Sequence, residues 1–343
     1  MSAALPARAN AARGRLNADD YVERIVGGDR AVLSRAITLV ESKRAGDMEL
    51  AEAVVEGCLP HSGRALRVGI TGVPGAGKST LIEALGQHII LEYGESVAVL
   101  AIDPTSQVTG GSILGDRTQM VSLGACEKAF IRPSPSRGSF GGVARHTREA
   151  MLLCEAAGFQ NVLIETVGVG QSETAVHGMV DFFVLVMLSG AGDELQGMKR
   201  GVMELADLIA VNKADGENVS AAEKTRADAE KALHFFLPAD EGWTACALAC
   251  SALTGSGVAE LWNKARQYAQ AANAGGWLER KRREQRRRWL KESLEHGLAE
   301  MFRAHPGVAQ QLAACEREVV EGKATPFRAA RELLQVFAQG RAG

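Results

Sequence analysis

Apolar residues along this 343-residue chain recur with two periods, and the alternation between them predicts the architecture. Short apolar runs at Leu66 to Thr71, Ser96 to Ile102, Asn161 to Ile164, Phe182 to Leu188 and Leu208 to Val211 read as buried strands, the pattern of a parallel sheet. Elsewhere the spacing lengthens to three and four. Leu81, Leu85 and Ile89 mark one helix face directly after the first run. Ala31 to Gly57 reads as helical, with Leu33, Ile37 and Val40 on one face and Leu50, Val54 and Val55 on another. Leu261 to Ala272 and Trp277 to Phe302 also read as helices; Pro306-Gly307 then breaks the pattern before Val308 to Cys315 and Pro326 to Ala338. The expected organisation is a helical extension over 1–62, an α/β domain with a mostly parallel sheet flanked by helices over 63–272, and a C-terminal helical extension over 273–343.

The first strand runs into Gly72-Val73-Pro74-Gly75-Ala76-Gly77-Lys78-Ser79, followed by Thr80, which fits GxxxxGK[ST] at every fixed position between strand and helix. The glycines let successive backbone N–H groups converge on phosphate oxygens, and the helix N-terminus adds partial positive charge. Lys78 is placed to reach the β- and γ-phosphates, and Ser79 to ligate Mg²⁺. A second cassette, Asn212-Lys213-Ala214-Asp215, closes the Leu208 to Val211 run at a strand's carboxyl end, where open α/β sheets bind ligands. A carboxylate at Asp215 can accept parallel hydrogen bonds from the ring N–H and exocyclic amine of guanine; adenine offers no such donor pair, and Asn212 can hold the loop. The plain alternative is a polar turn capping the next helix. Ser251-Ala252-Leu253 downstream offers backbone N–H groups to the guanine carbonyl, so GTP is favoured over ATP.

Two more strand ends put carboxylates beside this loop, at Asp103 and at Glu165. With Asp116, they are the candidates for direct or water-mediated Mg²⁺ ligation, and spacing does not divide the work among them. Ras-type GTPases orient the attacking water with a glutamine just after the glycine that meets the γ-phosphate. Val169 stands in that place and Gln171 lies two residues on, so weak basal hydrolysis stimulated by a partner is expected.

Several segments together resemble the MeaB/ArgK group of metallochaperone GTPases: Gly72 to Thr80, Asp103 to Ser106, Gly110 to Thr118, Ile131 to Gly138, Glu165 to Glu173, and Gly190 to Gly197. The resemblance runs from about residue 25 to residue 340. It implies a P-loop GTPase of the SIMIBI class, which also contains the signal-recognition-particle GTPases. It further implies a homodimer that binds an adenosylcobalamin-dependent acyl-CoA mutase of the methylmalonyl-CoA mutase type, gates cofactor delivery with GTP, and protects or reactivates the mutase. By position it places Lys78, Ser79, Asp103, Asp116 and Glu165 at the nucleotide and Mg²⁺ site, with Lys78, Glu165 and Asp116 catalytic. Asp193, Gln196 and Lys199 fall in an additional switch that reports partner binding. Gln119 departs from the family, where an arginine is expected. Glycine density in Ser189-Gly190-Ala191-Gly192 independently suits a loop that rearranges. The family's older naming supplies the alternative, an ATP- or GTP-dependent kinase or transport-associated ATPase, against which Asp215 argues.

Composition narrows the partners. The net charge of −2 provides no overall field for nucleic acid. Arg280 to Arg288 is a local basic run that could meet nucleic acid, acidic lipid or an acidic protein; Glu279, Glu284, Glu292 and Glu295 nearby favour a solvated helix, so neither nucleic acid nor membrane is expected as a partner. Six cysteines without a CxxC point to a reducing compartment and no structural metal site. His146, His177 and His296 are isolated, and no Asp-x-His-x-x-Gly pattern occurs, so adenosylcobalamin is expected on the partner and not on this chain. No run of 18 apolar residues predicts a membrane span. Arg8, Arg13 and Arg15 without an acid over residues 1–18 weakly resemble a transit peptide; a cytoplasmic location is expected, with the mitochondrial matrix as the alternative.

Overall fold

The computed structural model describes residues 16–42, 44–103, 120–135, 140–166, 172–189, 200–235 and 242–339. Seven strands form one sheet in the order β3-β2-β4-β1-β5-β6-β7: β1 (Leu66–Gly72), β2 (Val97–Asp103), β3 (Ala129–Pro135), β4 (Asn161–Glu165), β5 (Phe182–Leu188), β6 (Leu208–Asn212) and β7 (Cys246–Ala249). Every pairing is parallel. The expected α/β fold with a parallel sheet is thus the observed one. From β1 the chain winds to β2 and β3, returns through β4, then crosses to β5, β6 and β7 on the other side. The crevice where the winding reverses opens at the carboxyl end of β1.

Alternation along the central strands divides the core between the two faces. On one, Phe182, Val184 and Val186 pack with Val68 and Ile70 under α4 (Lys78–Tyr93) and α10 (Val258–Ala274). On the other, Leu185, Met187, Ile209 and Val211 pack under α9 (Val219–Leu233). At the amino ends of the strands, away from this crevice, the Arg67 guanidinium forks onto Glu155 at 2.8 and 2.9 Å, with both side chains buried. Glu155 also accepts the Gly63 N–H at 2.7 Å.

The sequence reading misses the edge strand β3. β3 carries Pro133 and Pro135 and pairs only with β2, and the sheet edge is where proline, lacking an N–H, is tolerated. β7 is four residues long. The single helical stretch expected over Ala31 to Gly57 is two helices, α2 (Arg30–Val40) and α3 (Ala45–Cys58). They are preceded by α1 (Ala18–Val26), whose N-terminus is closed by a capping box between Asn17 and Asp20. Arg30 of α2 donates to Ala129 O at 2.8 Å, and Glu41 beyond its end pairs with Arg132 at 2.6 Å, so this helix is fastened to the edge strand.

The chain forms two compact units, Met1–Arg280 and Lys281–Gly343, and the N-terminal helices lie in the first with the sheet. Helix α11 (Trp277–Ala304) continues into the second, which adds α12 (Pro306–Val320) and α13 (Pro326–Gln339). Pro306 breaks the pattern as expected, at the first position of α12. Phe337 packs edge-on against Phe302 and His305. Leu290, Leu294, Leu298 and Met301 form an exposed apolar line at helical spacing along α11. Among the described residues no helix is long and apolar enough to cross a membrane.

Candidate functional site

The β1–α4 turn can follow its path only with glycine at particular points. A Cβ on Gly72 would stand 2.2 Å from Val186 O. Gly77 has a φ of +82°, and a Cβ there would stand 2.6 Å from the Asn212 amide nitrogen. Lys78 opens α4, and its Nζ donates to Gly72 O at 2.9 Å and Val73 O at 3.1 Å, which brings the ammonium back over the loop. Pro74, Gly75 and Thr80 are exposed at the rim, while Ala76 is buried.

Ser79, the next residue of α4, donates its hydroxyl to Glu165 Oε1 at 2.7 Å in a buried contact. Glu165 ends β4, paired with Ile70 of β1, and so stands beside the phosphate loop. Thr166 continues the strand, donating to Ile70 O through its N–H at 3.0 Å and to Thr71 Oγ1 through its hydroxyl at 2.7 Å. Two hard oxygen donors therefore converge at the head of α4. Asp103 ends β2, two residues beyond the partner of Glu165 in the register, which places its backbone near the same end of the sheet. Its side chain, Asp116, Val169, Gln171, and the expected switch residues Asp193, Gln196 and Lys199 lie outside the described residues.

The end of β6 connects this loop to a third segment. The Asn212 side chain is buried and uses both ends of its amide: Nδ2 donates to Ala76 O at 2.8 Å, and Oδ1 accepts the Ala252 N–H at 3.0 Å. Cys250 lies beside the same oxygen at 3.9 Å, and burial pushes its thiol up to about 12, so it stays a neutral neighbour. Lys213 follows with a φ of +61°, the sole non-glycine positive φ among the described residues. Left-handed backbone costs such a residue about 1–2 kcal/mol, a cost that concentrates at functional loops. Lys213 Cε comes within 3.9 Å of the Cβ position at Gly77, so the lysine stem lies over the phosphate loop.

Asp215 is half-buried. It opens the short turn Gly216–Asn218 without a side-chain cap, so the helix-capping alternative does not describe it. Its Oδ2 instead accepts the Ser251 hydroxyl. The three backbone groups of the downstream cassette differ in use. Ser251 donates its N–H to Ser256 O at 2.8 Å and Ala252 donates to Asn212, which leaves the Leu253 N–H, beside an exposed side chain, as the one without an acceptor among the described residues. The role of the Ser251 side chain is not visible in the sequence, which points to the backbone as the donor.

The geometry brings phosphate loop, carboxylate and base-side loops together at one crevice. A family model described as Methylmalonyl Co-A mutase-associated GTPase MeaB matches residues 33–307. GTPase ArgK of Escherichia coli (strain K12) is 47% identical over 276 residues, 80% of this chain and 83% of that one. The mitochondrial methylmalonic aciduria type A homolog of Mus musculus is 43% identical over 323 residues, 91% of this chain and 78% of that one. The crystal structure of a LAO/AO transport system kinase superposes with a TM-score of 0.75 at 36% identity, covering 95% of this chain and 100% of that one. The resemblance carried by the sequence motifs is therefore correct, and this chain belongs to the MeaB family of GTPases.

Proposed function

We propose that this protein binds GTP with Mg²⁺ in the β1 crevice, hydrolyses it to GDP and phosphate, and uses the nucleotide state to gate adenosylcobalamin delivery to an acyl-CoA mutase of the methylmalonyl-CoA type. The observation that carries the reading is the Asn212 amide, which bonds the phosphate loop and the base-side loop simultaneously. A nucleotide held at both ends needs those loops at a fixed separation. Gly72 to Thr80 present main-chain donors to phosphate, Lys78 neutralises phosphate charge, and Asp215 reads the ring N–H and amine of guanine. Ser251, Ala252 and Leu253 shape the opposite wall, with the Leu253 N–H available to the guanine carbonyl.

Ser79 and Glu165 fit Mg²⁺. Their oxygens are 2.7 Å apart, and adjacent vertices of an octahedron with 2.0–2.1 Å bonds are separated by about 3 Å. Bound there, Mg²⁺ would neutralise charge developing on the transferred phosphate. Asp103 and Asp116 are the further acids proposed for this shell, directly or through water, and Glu165, Asp116 and Lys78 are the proposed catalytic set. Basal turnover is slow in this proposal, and mutase binding, reported through Asp193, Gln196 and Lys199, raises it.

The family description supplies the partner class. The cobalamin travels with the mutase. A homodimer uses the exposed apolar line on α11 within a C-terminal extension over 273–343, and residues 1–62 brace the G domain at 63–272. The alternative, a transport-associated kinase or ATPase, takes its support from the solved relative's being called a transport system kinase; it requires ATP, against Asp215. The test is capture of the mutase by the tagged chain with GTPase turnover measured before and after. Stimulated GTP hydrolysis supports the proposal; a mutase that neither binds nor stimulates refutes it.

A further inference from the structure

Two consecutive residues at the end of β4 grip the two ends of the phosphate loop from opposite faces of the sheet. Successive side chains of a strand alternate between faces, and Glu165, paired with Ile70, shares the face that Val68 and Ile70 turn to α4. There its Oε1 accepts the Ser79 hydroxyl at 2.7 Å. Thr166 turns the other way. Its hydroxyl donates to Thr71 Oγ1 at 2.7 Å, its N–H donates to Ile70 O at 3.0 Å, and Thr71 stands directly before Gly72. Both threonines are fully buried, so water has no access to replace the bond. A buried hydroxyl pair adds little net stability over two apolar groups of the same shape, so folding alone does not call for it. What the bond supplies is direction. The main-chain hydrogen bond by itself leaves the strand end free to roll about its axis, and a side-chain bond on the face opposite Glu165 stops that roll.

We propose that Thr166 and Thr71 are positioning residues for Mg²⁺: their hydroxyl bond, on the far face from Ser79, holds the end of β4 so that the Glu165 carboxylate stays turned to the Ser79 oxygen. The inference rests on the proposed reading of Ser79 and Glu165 as the Mg²⁺ site. Without the bond the carboxylate must be ordered by the ion itself, and a site that is not preorganised binds more weakly. The deficit falls on the metal-dependent part of GTP binding. Main-chain contacts from the phosphate loop to the nucleotide do not pass through β4, so affinity in the absence of metal stays the same.

The experiment measures the GTP Kd of the full chain by calorimetry, once with Mg²⁺ and once with a chelator in its place, and reads the ratio of the two. Thr166→Val, and the double variant that adds Thr71→Val, should each lose about tenfold of that ratio, the effect of one hydrogen bond, while the Kd in chelator stays within about twofold of wild type. The single variant strands one hydroxyl and the double variant removes both, so the double variant should keep a urea midpoint close to wild type although its ratio is lost. Thr166→Ser, which retains the hydroxyl, should hold the ratio within about twofold of wild type. Thr166→Cys, similar in size but a weak donor, serves if neither valine variant folds, and should lose the ratio as they do. In a Glu165→Ala background, adding Thr166→Val should change the ratio by less than about twofold, because the effect runs through the carboxylate. A wild-type ratio in the valine variants, whatever their urea midpoint, or an equal loss with and without Glu165, overturns the inference. A ratio that Glu165→Ala itself leaves unchanged overturns the reading of the metal site beneath it.

Discussion

Replacing Asn212 by alanine strikes the contact on which the site's geometry depends. It removes the donor to Ala76 O at 2.8 Å and the acceptor of the Ala252 N–H at 3.0 Å in one step. Asn212 is 1% exposed and its bond to Ala76 is buried, so solvent has least access to replace that bond, while the Ala252 end is half-buried. Each buried main-chain group left without a partner costs about 1–3 kcal/mol, which gives about 2–6 kcal/mol for the pair before relaxation. Part of this appears as lost stability of the free protein. The rest appears as weaker nucleotide binding, because the phosphate loop and the Ser251 to Thr254 loop must then be brought into register by the ligand. A tenfold rise in the GTP Kd accounts for only about 1.4 kcal/mol, well inside that range. Asn212→Asp separates the two bonds: it retains an acceptor for Ala252 and sets a carboxylate oxygen against Ala76 O. The aspartate variant should bind GTP at least as poorly as the alanine variant. Calorimetric titration with GTP and Mg²⁺, run beside urea unfolding, measures both shares. An alanine variant with an unchanged urea midpoint and a Kd within about twofold of wild type would refute the reasoning, as would an aspartate variant that binds like wild type.

Glu165→Ala leaves the Ser79 hydroxyl without its carboxylate acceptor. The Mg²⁺ concentration for half-maximal GTP hydrolysis should rise by about 10–100-fold, measured by phosphate release across a magnesium series. Glu155→Ala strands the buried Arg67 guanidinium and should cost about 3–5 kcal/mol in urea unfolding, while the folded protein keeps its GTP affinity because the pair lies at the opposite end of β1 from the phosphate loop. Burial raises the thiols of Cys58 to about 11 and Cys250 to about 12, from an ordinary value of 9.0, and pushes Cys154 up as well. Above pH 9 the unfolded chain loses these protons while the folded chain keeps them, so stability should fall as pH rises from about 9 toward 12; a urea midpoint rising over that window would contradict the burial.

Much of the sheet was legible because its central strands are buried on both faces, and continuous apolar runs such as Phe182 to Leu188 report that directly. The edge strand was not. Ala129–Pro135 has only three apolar residues in a row before Arg132, Ser134 and two prolines, and becomes a strand through pairing with β2 and cover from α2. The break between α2 and α3 has no glycine or proline to announce it; after Glu41, Ser42 turns its hydroxyl onto Asp47 at 2.6 Å. The helix α1 is not among the sequence expectations, although Asn17 and Asp20 before it stand at capping-box spacing.

At the site, motif spacing identified the residues but not their contacts. The bond from Asn212 to Ala76 spans 136 positions, a separation that periodicity does not encode. Ser251 shows the same limit: its residue type pointed to the base loop, while the choice between backbone and hydroxyl depended on Ser256 and Thr254.

The most direct test is the affinity of the purified protein for GTP and for ATP in the presence of Mg²⁺, measured by calorimetry under identical conditions. Asp215, whose carboxylate accepts the Ser251 hydroxyl, should favour GTP by on the order of 2–5 kcal/mol, because the wrong base leaves a partly buried carboxylate without its donors. Equal affinity for the two nucleotides would contradict the account at its centre.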